Sequence, residues 1–353
     1  MIEEHAVPET IVTRVVEREL DVTVKQIEPL AGGLGLRRFY RVMATGEPGS
    51  VIARVEAPDD PAGRPAGTPP EPALEPLRSF LEERGLPVPA RLGGDPERGI
   101  ELLEDLGSRT LASAVAGASA GERMTLYTAA IGLIPRLQRL EDPAGEIPAF
   151  ERRLDARLFD YKADLFVRWS LPSALGREAR AGEANAVRGA FRWIAAEAAA
   201  APARLAHRDL QSHNLYLCSD GARGERLVMI DIQGALLAPP EYDLVCLLRD
   251  SYVELPDDEV RSHLARVRPL LPDRPDAESF ARRFDLLTLS RKGKDHARFV
   301  YAASSRGDPR FNRHLSATVR ALRTAAARVA CLDSSLARLA EMVHALPESP
   351  CVG

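Results

Sequence analysis

The segment Leu205-Ala206-His207-Arg208-Asp209-Leu210-Gln211-Ser212-His213-Asn214, with Val228-Met229-Ile230-Asp231 behind it, constrains this chain more than any other feature. It reads H-R-D-x4-N, then an apolar run ending in Asp. Phosphoryl transfer to a hydroxyl asks a protein for a carboxylate to take the hydroxyl proton. It also asks for an amide oxygen and a second carboxylate on magnesium. All three groups occur here in that order. Asp209 is the candidate catalytic carboxylate, orienting an acceptor hydroxyl and accepting its proton. Asn214 lies close enough for one tight loop to present both groups, its amide oxygen toward a Mg2+ ion. Asp231 follows apolar residues, as a strand-end metal ligand should. His207 is expected to organise the loop rather than carry a proton. Asp243 stands where a helix begins, in Pro239-Pro240-Glu241-Tyr242-Asp243, and either caps that helix or binds the loop's backbone. Gln233 faces substrate or solvent.

A length of 353 residues allows two lobes and a sizeable core. A hydrophobic share of 45% with 28% charged residues is that of a soluble globular protein. The net charge of -4 gives no sign of nucleic acid or an anionic membrane as a bulk partner. Met1 to Val16 lacks a basic stretch followed by an apolar one, so no signal peptide is expected. No run of about 18 uncharged apolar residues predicts a membrane span. Cys218, Cys246, Cys331 and Cys351 form no C-x-x-C pair and read as reduced thiols of a cytoplasmic protein, a monomer or weak dimer.

The first hundred or so residues read as strands with one helix. Strands are predicted at Val22 to Ile27, Phe39 to Val42, Val51 to Val55 and Ile100 to Leu103. Residues 58 to 72, PDDPAGRPAGTPPEP, read as a loop. A helix is expected from Leu74 to Arg84, stopped by Gly85 and Pro87. The remainder reads as mainly helical. Leu126, Ala130, Leu133, Leu137 and Leu140 share one helix face, with a kink expected at Pro135, and Val187, Phe191 and Ile194 line another helix. Leu215 to Ile230 reads as a hairpin holding Asn214 at one end and Asp231 at the other. The predicted fold class is α+β: a bilobal protein-kinase-like fold with a small antiparallel-sheet N-lobe, residues 1–106, and a larger helical C-lobe, residues 107–353.

Gly33 and Gly35, between two predicted strands, are candidates for a phosphate-covering turn, because glycine lets backbone N–H groups approach phosphate oxygens. A cation is also needed on the third strand. The only lysines are Lys25, Lys162, Lys292 and Lys294, none of them there, which leaves Arg54. Its expected partner is Glu75, with Glu71 and Glu82 as the alternatives. ATP is expected near Glu101 to Leu106, its adenine held by backbone groups that include those of Glu101 and Leu103. Arg249 and Asp250, one helix from the metal site, are candidates to reach the acceptor.

His207, Asp209, Asn214, Ile230-Asp231 and Tyr242-Asp243-Leu244 together resemble the aminoglycoside phosphotransferase and choline kinase branch of the protein-kinase-like fold. Leu36 to Val42, Glu56-Ala57-Pro58, Leu103 to Thr110, Asp231 to Ala235, Tyr242 to Tyr252 and Phe284 to Leu287 resemble the bacterial anomeric sugar kinases. That likeness runs over roughly residues 25 to 320. It implies an ATP- and Mg2+-dependent kinase acting on the C1 hydroxyl of N-acetylmuramate or N-acetylglucosamine, a small-molecule sugar acceptor, in cell-wall recycling. The chain departs from it at Gly234, where the family has Asp, at His213, where it has Arg, and in the Pro/Gly stretch. Two other readings follow from the same residues. One is a kinase of an aminoglycoside, choline or an amino alcohol; low aromatic content, 5%, speaks against a choline cage. Arg282-Arg283, Arg320, Arg323 and Arg328 speak against an acidic acceptor surface for an aminoglycoside. The other is a nucleotide-binding pseudokinase or scaffold, supported by the missing strand lysine.

Overall fold

A computed structural model describes residues 8–30, 37–56, 70–142, 144–219 and 224–349. Its described residues fall into two compact units. One comprises those of Met1–Ala66, Pro87–Arg109 and Tyr216–Ile230, the other those of Gly67–Leu86, Thr110–Leu215 and Asp231–Gly353. The chain is therefore not divided by a single cut after residue 106. The helix expected in the N-lobe goes with the helical unit, because Phe80 packs edge-on against Phe150 with ring centroids 5.7 Å apart. The hairpin goes with the sheet unit, where Leu217 N–H donates to the Arg109 carbonyl at 2.8 Å and Met229 N–H to that of Pro87 at 2.9 Å.

The sheet unit opens with α1 (Glu9–Leu20), followed by β1 (Thr23–Leu30), β2 (Arg38–Thr45), β3 (Ser50–Val55), β4 (Arg91–Asp95) and β5 (Ile100–Glu104). The five strands form an antiparallel sheet in the order β1-β2-β3-β5-β4. Side chains alternate across a strand. Tyr40, Val42, Val51, Ala53, Val55, Ile100 and Leu102 thus share one core with Val12, Val15 and Val16 of α1. Their spacing of three and four residues puts those valines on one helix face. By the same register the opposite face carries Phe39, Arg41, Ile52, Arg54, Glu101 and Leu103. Sequence patterning missed two elements. α1 is amphipathic but short and charged, and β4 contains Gly93-Gly94, which β-propensity disfavours. Gly94 is required there: its φ is +152°, and a Cβ would lie 2.5 Å from the Ile100 carbonyl oxygen.

The helical unit contains α2 (Leu77–Glu83), α3 (Leu111–Val115), α4 (Ala120–Ile131), α5 (Leu133–Gln138), α6 (Ala156–Leu165), α7 (Leu171–Leu175) and α8 (Ala181–Ala199). After it come β6 (Arg204–Ala206), the hairpin strands β7 (Leu215–Ser219) and β8 (Glu225–Met229), and β9 (Leu236–Ala238), which pairs with β6. The chain ends with α9 (Tyr242–Leu248), α10 (Asp257–Val267), α11 (Ala277–Ser305), α12 (Leu315–Val329) and α13 (Ser334–His344). The helix expected through Pro135 breaks earlier, at Gly132 between α4 and α5. Pro135 then sits in the first turn of α5, where a missing N–H costs nothing. α11 is the 29-residue spine of this unit and buries Arg291, Lys292, Asp295 and His296 along with its apolar residues. No helix among the described residues is long and apolar enough to cross a membrane.

The α1 core yields a direct test. Val16 is fully enclosed, so Val16→Ala removes two buried methyl groups and is expected to cost roughly 1–3 kcal/mol. Thermal unfolding of the variant should show a Tm lower by several degrees. An unchanged Tm would mean that α1 does not pack on the sheet.

Candidate active site

Between β6 and β7 the chain turns sharply, and Arg208 takes a left-handed conformation with φ +77°. A non-glycine residue stays there only if its surroundings hold it. Asp243, on the first turn of α9 and fully buried, does so. Its carboxylate accepts the His207 N–H at 2.7 Å and the Arg208 N–H at 3.0 Å. It caps no helix, so of its two expected roles the structure contains the backbone one. Burial pushes the Asp243 carboxyl up, while His207 and the two backbone bonds pull it back. The His207 ring is also buried, and its Nδ1 accepts the Asp209 N–H at 3.3 Å.

The loop continues as a one-turn 3-10 helix, Ser212–Asn214. The Asp209 carbonyl accepts both the Gln211 N–H at 2.8 Å and the Asn214 side-chain amide at 2.9 Å. The Asn214 NH2 is thereby committed to the loop, and its Oδ1 is left as the group that can ligate. Asp250 fixes the far end: it accepts Ser212 N–H at 2.8 Å, the Ser212 hydroxyl, and Tyr252 N–H at 3.1 Å. Both of its oxygens are thus engaged with the chain, and Asp250 braces the loop rather than reaching outward to an acceptor. Arg249 is likewise turned inward: it pairs with Asp257 and lies over the Phe284 ring.

Asp209 receives its charge partner from α11. Arg291 Nη1 donates to its Oδ1 at 2.7 Å and also reaches the Arg208 carbonyl at 3.2 Å. The Asp209 side chain keeps 26% of its surface open. Burial alone pushes its carboxyl up, but the charges of Arg291, Lys294 and Arg208 outweigh that and hold it well below the usual carboxylate range. Asp209 is therefore ionised across the physiological pH range. Arg291 is the site residue that sequence reading missed. Its signal was available: two of the four lysines follow it in Ser290-Arg291-Lys292-Gly293-Lys294-Asp295, a charged run directly behind the apolar Leu286-Leu287-Thr288-Leu289.

Asp231 follows β8, is exposed, and also has positive φ, +62°. Gln233 is buried and donates its amide to Asp231 Oδ1, so it positions that carboxylate. Among the described residues no group of three or more His, Cys, Asp or Glu could hold a metal. One carboxylate, Asp231, and one amide oxygen, Asn214, are oxygen donors of the kind Mg2+ takes. That ion keeps several waters and is bound by one or two protein groups together with substrate phosphates.

In the sheet unit Arg54 is buried, but its partners are Glu101, directly opposite on β5, and Glu56. The expected pair with Glu75 is not formed; Glu75 takes Arg78 and the Ser79 N–H at 3.1 Å. Register is the reason, since residues opposed across two strands meet without any helix having to approach. Glu101 and Leu103 lie inside β5, whose backbone is paired with β3 on one side and β4 on the other. Their N–H and C=O groups are thus unavailable to an adenine ring, and a linker with backbone to offer begins at Asp105. There Arg41 grips the Asp105 carboxylate at 2.8 and 3.0 Å and the Gly107 carbonyl at 2.6 Å. Gly33 and Gly35 lie outside the described residues.

A family model described as "Phosphotransferase enzyme family" matches residues 26–278, well over half of the chain. The N-acetylmuramate/N-acetylglucosamine kinase of Pseudomonas aeruginosa is 29% identical over 342 residues, covering 93% of this chain and 90% of its own. Its namesake from Neisseria meningitidis serogroup B is 28% identical over 335 residues, covering 93% and 92%. Among solved structures, choline kinase LicA from Streptococcus pneumoniae superposes with a TM-score of 0.61 at 18% identity, over 90% of this chain and 99% of that one. LicA in complex with AMP gives 0.58 at 17% identity, over 90% and 98%. At such identities the structures speak for the fold alone, which is the kinase-like α+β arrangement expected from the sequence.

Asp243→Asn tests the loop clamp. The amide offers one acceptor and one donor where two N–H groups point, so one buried donor loses its partner at roughly 1–3 kcal/mol. The expected result is a lower Tm together with faster hydrogen exchange at the His207 and Arg208 amides. Exchange as slow as in the unaltered protein would mean the carboxylate does not hold the loop.

Proposed function

Because the chain belongs to the phosphotransferase enzyme family, we propose that it is an ATP-dependent sugar kinase phosphorylating the anomeric C1 hydroxyl of N-acetylmuramate and N-acetylglucosamine. The observation that carries the acceptor is the likeness to two kinases of that name along nearly the whole length of both chains. The loop geometry carries the chemistry. Asp209 receives the acceptor hydroxyl, and its oxygen attacks the γ-phosphorus as the bond to the β-phosphate oxygen breaks and ADP departs. The hydroxyl proton passes to Asp209. With its basicity held down by Arg291, Asp209 acts first by orienting the hydroxyl and takes the proton late, as a loose phosphoryl-transfer transition state permits. A weakly basic carboxylate also suits the anomeric hydroxyl, the most acidic on a pyranose.

Asn214 and Asp231 would hold Mg2+, which when bound neutralises charge on the phosphates. Gln233 keeps the Asp231 carboxylate in place, and Asp250 does the same for the turn that carries Asn214. In the sheet unit, Ile52 and Leu103 offer an apolar face to a nucleotide base and Arg54 a fixed cation to its phosphates. Arg54 is set by Glu101 rather than by a helix glutamate.

ADP release with Mg-ATP should be measured against N-acetylmuramate, N-acetylglucosamine, glucosamine, choline and kanamycin. Turnover of the two N-acetyl sugars is expected, with loss of the product's reducing end, since a C1 phosphate blocks it. Asp209→Ala should lower kcat by roughly 10²–10⁴-fold. Preferred turnover of kanamycin or choline, or near-normal activity of the variant, would refute the reading. A second variant, Arg291→Met, frees the Asp209 carboxyl to rise toward the ordinary range. Its acid limb in the kcat profile should then move to higher pH, with kcat roughly 10–100-fold lower for one lost charge-assisted bond. An acid limb that stays in place would remove Arg291 from the mechanism.

A further inference from the structure

Beyond Arg291, α11 brings Lys294 into the field of Asp209. Three cations, Arg291, Lys292 and Lys294, share two carboxylates, Asp209 and Asp295. Lys292 is satisfied by Asp295 at 2.7 Å and the Ser251 hydroxyl at 2.8 Å. Arg291 holds Asp209 through Nη1 at 2.7 Å, while its Nε lies 3.4 Å from Asp295 Oδ2 and makes no hydrogen bond among the described residues. Lys294 has no close acceptor: its one ion pair, to Asp295 Oδ1, spans 3.4 Å, and it makes no hydrogen bond among the described residues. A charge-assisted N–H···O bond is 2.7–2.9 Å long. Yet only 15% of the Lys294 side chain is exposed. Burial, and next the neighbouring Arg291, push its ammonium down to about 8. A three-donor cation with no close acceptor, enclosed beside a candidate catalytic carboxylate, is costly unless a ligand supplies the anion.

The neighbours define what that ligand looks like. Arg298, one turn beyond Lys294, is exposed and bears on the same group. Tyr252 lies in the field of Asp295, Asp250, Arg291 and Arg298, its ring set edge-on between His213 at 4.5 Å and His314 at 4.7 Å. At 1.5 Å rise per residue, Lys294 is roughly 4.5 Å and Arg298 roughly 10 Å along the axis from the Arg291 that holds Asp209. These axial offsets are of the order of the dimensions of a substituted pyranose.

We propose that Lys294, with Arg298 at its rim, is an anion subsite that reads a carboxylate on the acceptor, so that the preferred substrate is an acidic amino sugar rather than a neutral one. The inference rests on the sugar-kinase reading and adds the group that discriminates between the two acceptors. Their difference is chemical: N-acetylmuramate carries a lactyl carboxylate and N-acetylglucosamine does not. The same cations could instead serve the phosphoryl group in transfer, a source of negative charge common to both acceptors.

The test is the ratio of kcat/KM for N-acetylmuramate to that for N-acetylglucosamine. The unaltered enzyme should favour the acid. Lys294→Gln should lower the ratio by roughly 10–100-fold, Lys294→Arg should retain it, and Arg298→Gln should lower it a few-fold. A ratio unmoved in Lys294→Gln, whatever the common loss of rate, assigns the cation to the phosphoryl group or to Asp209 and overturns the subsite. Should Lys294→Gln not fold, the exposed Arg298→Gln decides on the same criterion. Turnover of neither sugar by the unaltered enzyme fails the sugar-kinase reading first and the subsite with it; turnover of both with a fixed ratio fails the subsite alone.

Discussion

The site depends on one buried carboxylate holding two backbone N–H groups. Arg208 in the left-handed region costs roughly 1–3 kcal/mol. Two hydrogen bonds to a charged acceptor contribute roughly 1.5–3 kcal/mol each, so the Asp243 clamp outweighs the strain. The turn it secures aims the Asp209 side chain and leaves the Asp209 carbonyl to receive Gln211 and Asn214. Asp243 and Asp250 lie near opposite ends of one short stretch, α9 and the residues after it, so a single packed element braces both ends of the loop. The ionisation of Asp209 is set separately, from α11.

Much of this was legible because it is local. His207, Asp209 and Asn214 sit in one short loop, and hairpin chemistry predicted β7 and β8 with Asn214 and Asp231 at their ends. Apolar alternation gave the strands that became β1, β2, β3 and β5. What sequence reading could not see is pairing at a distance. Arg54 finding Glu101 is a matter of register between β3 and β5, and Arg291 finding Asp209 is a contact 82 positions apart. Glu101 and Leu103, placed in a predicted strand, were nonetheless expected to lend their backbone to an adenine. Their backbone is spent on two neighbouring strands, which only the sheet order reveals.

Two departures from the resembled sugar kinases acquire a physical context. A Cβ on Gly234 would come within 3.3 Å of Arg208 Nη1 and 3.5 Å of Glu71 Oε1, two atoms that pair with each other at 2.7 Å. The position that would carry an Asp is thus left small, and Glu71, near the end of the Pro/Gly stretch, places a carboxylate beside it. The other departure, His213, sits edge-on to Tyr252, on the side of the loop where the α11 cations gather.

Counting charges along the sequence gave a misleading picture of where positive charge is available. Arg320 is taken by Glu254 and Glu348, Arg328 by Asp257 and Asp285, and Arg283 by Glu241. These C-terminal arginines tie helices together, and being paired they say little about the acceptor. The cations with electrostatic consequence are few and enclosed, because screening by water weakens an exposed charge far more than a buried one. Of the four lysines, two lie within three residues of Arg291 on α11. One of them, Lys292, is fully engaged, and the other, Lys294, is left with a single long ion pair. In a chain that otherwise uses arginine for fixed pairing, an ammonium with three rotatable donors and an incomplete set of partners is the group best suited to meet a ligand that comes and goes.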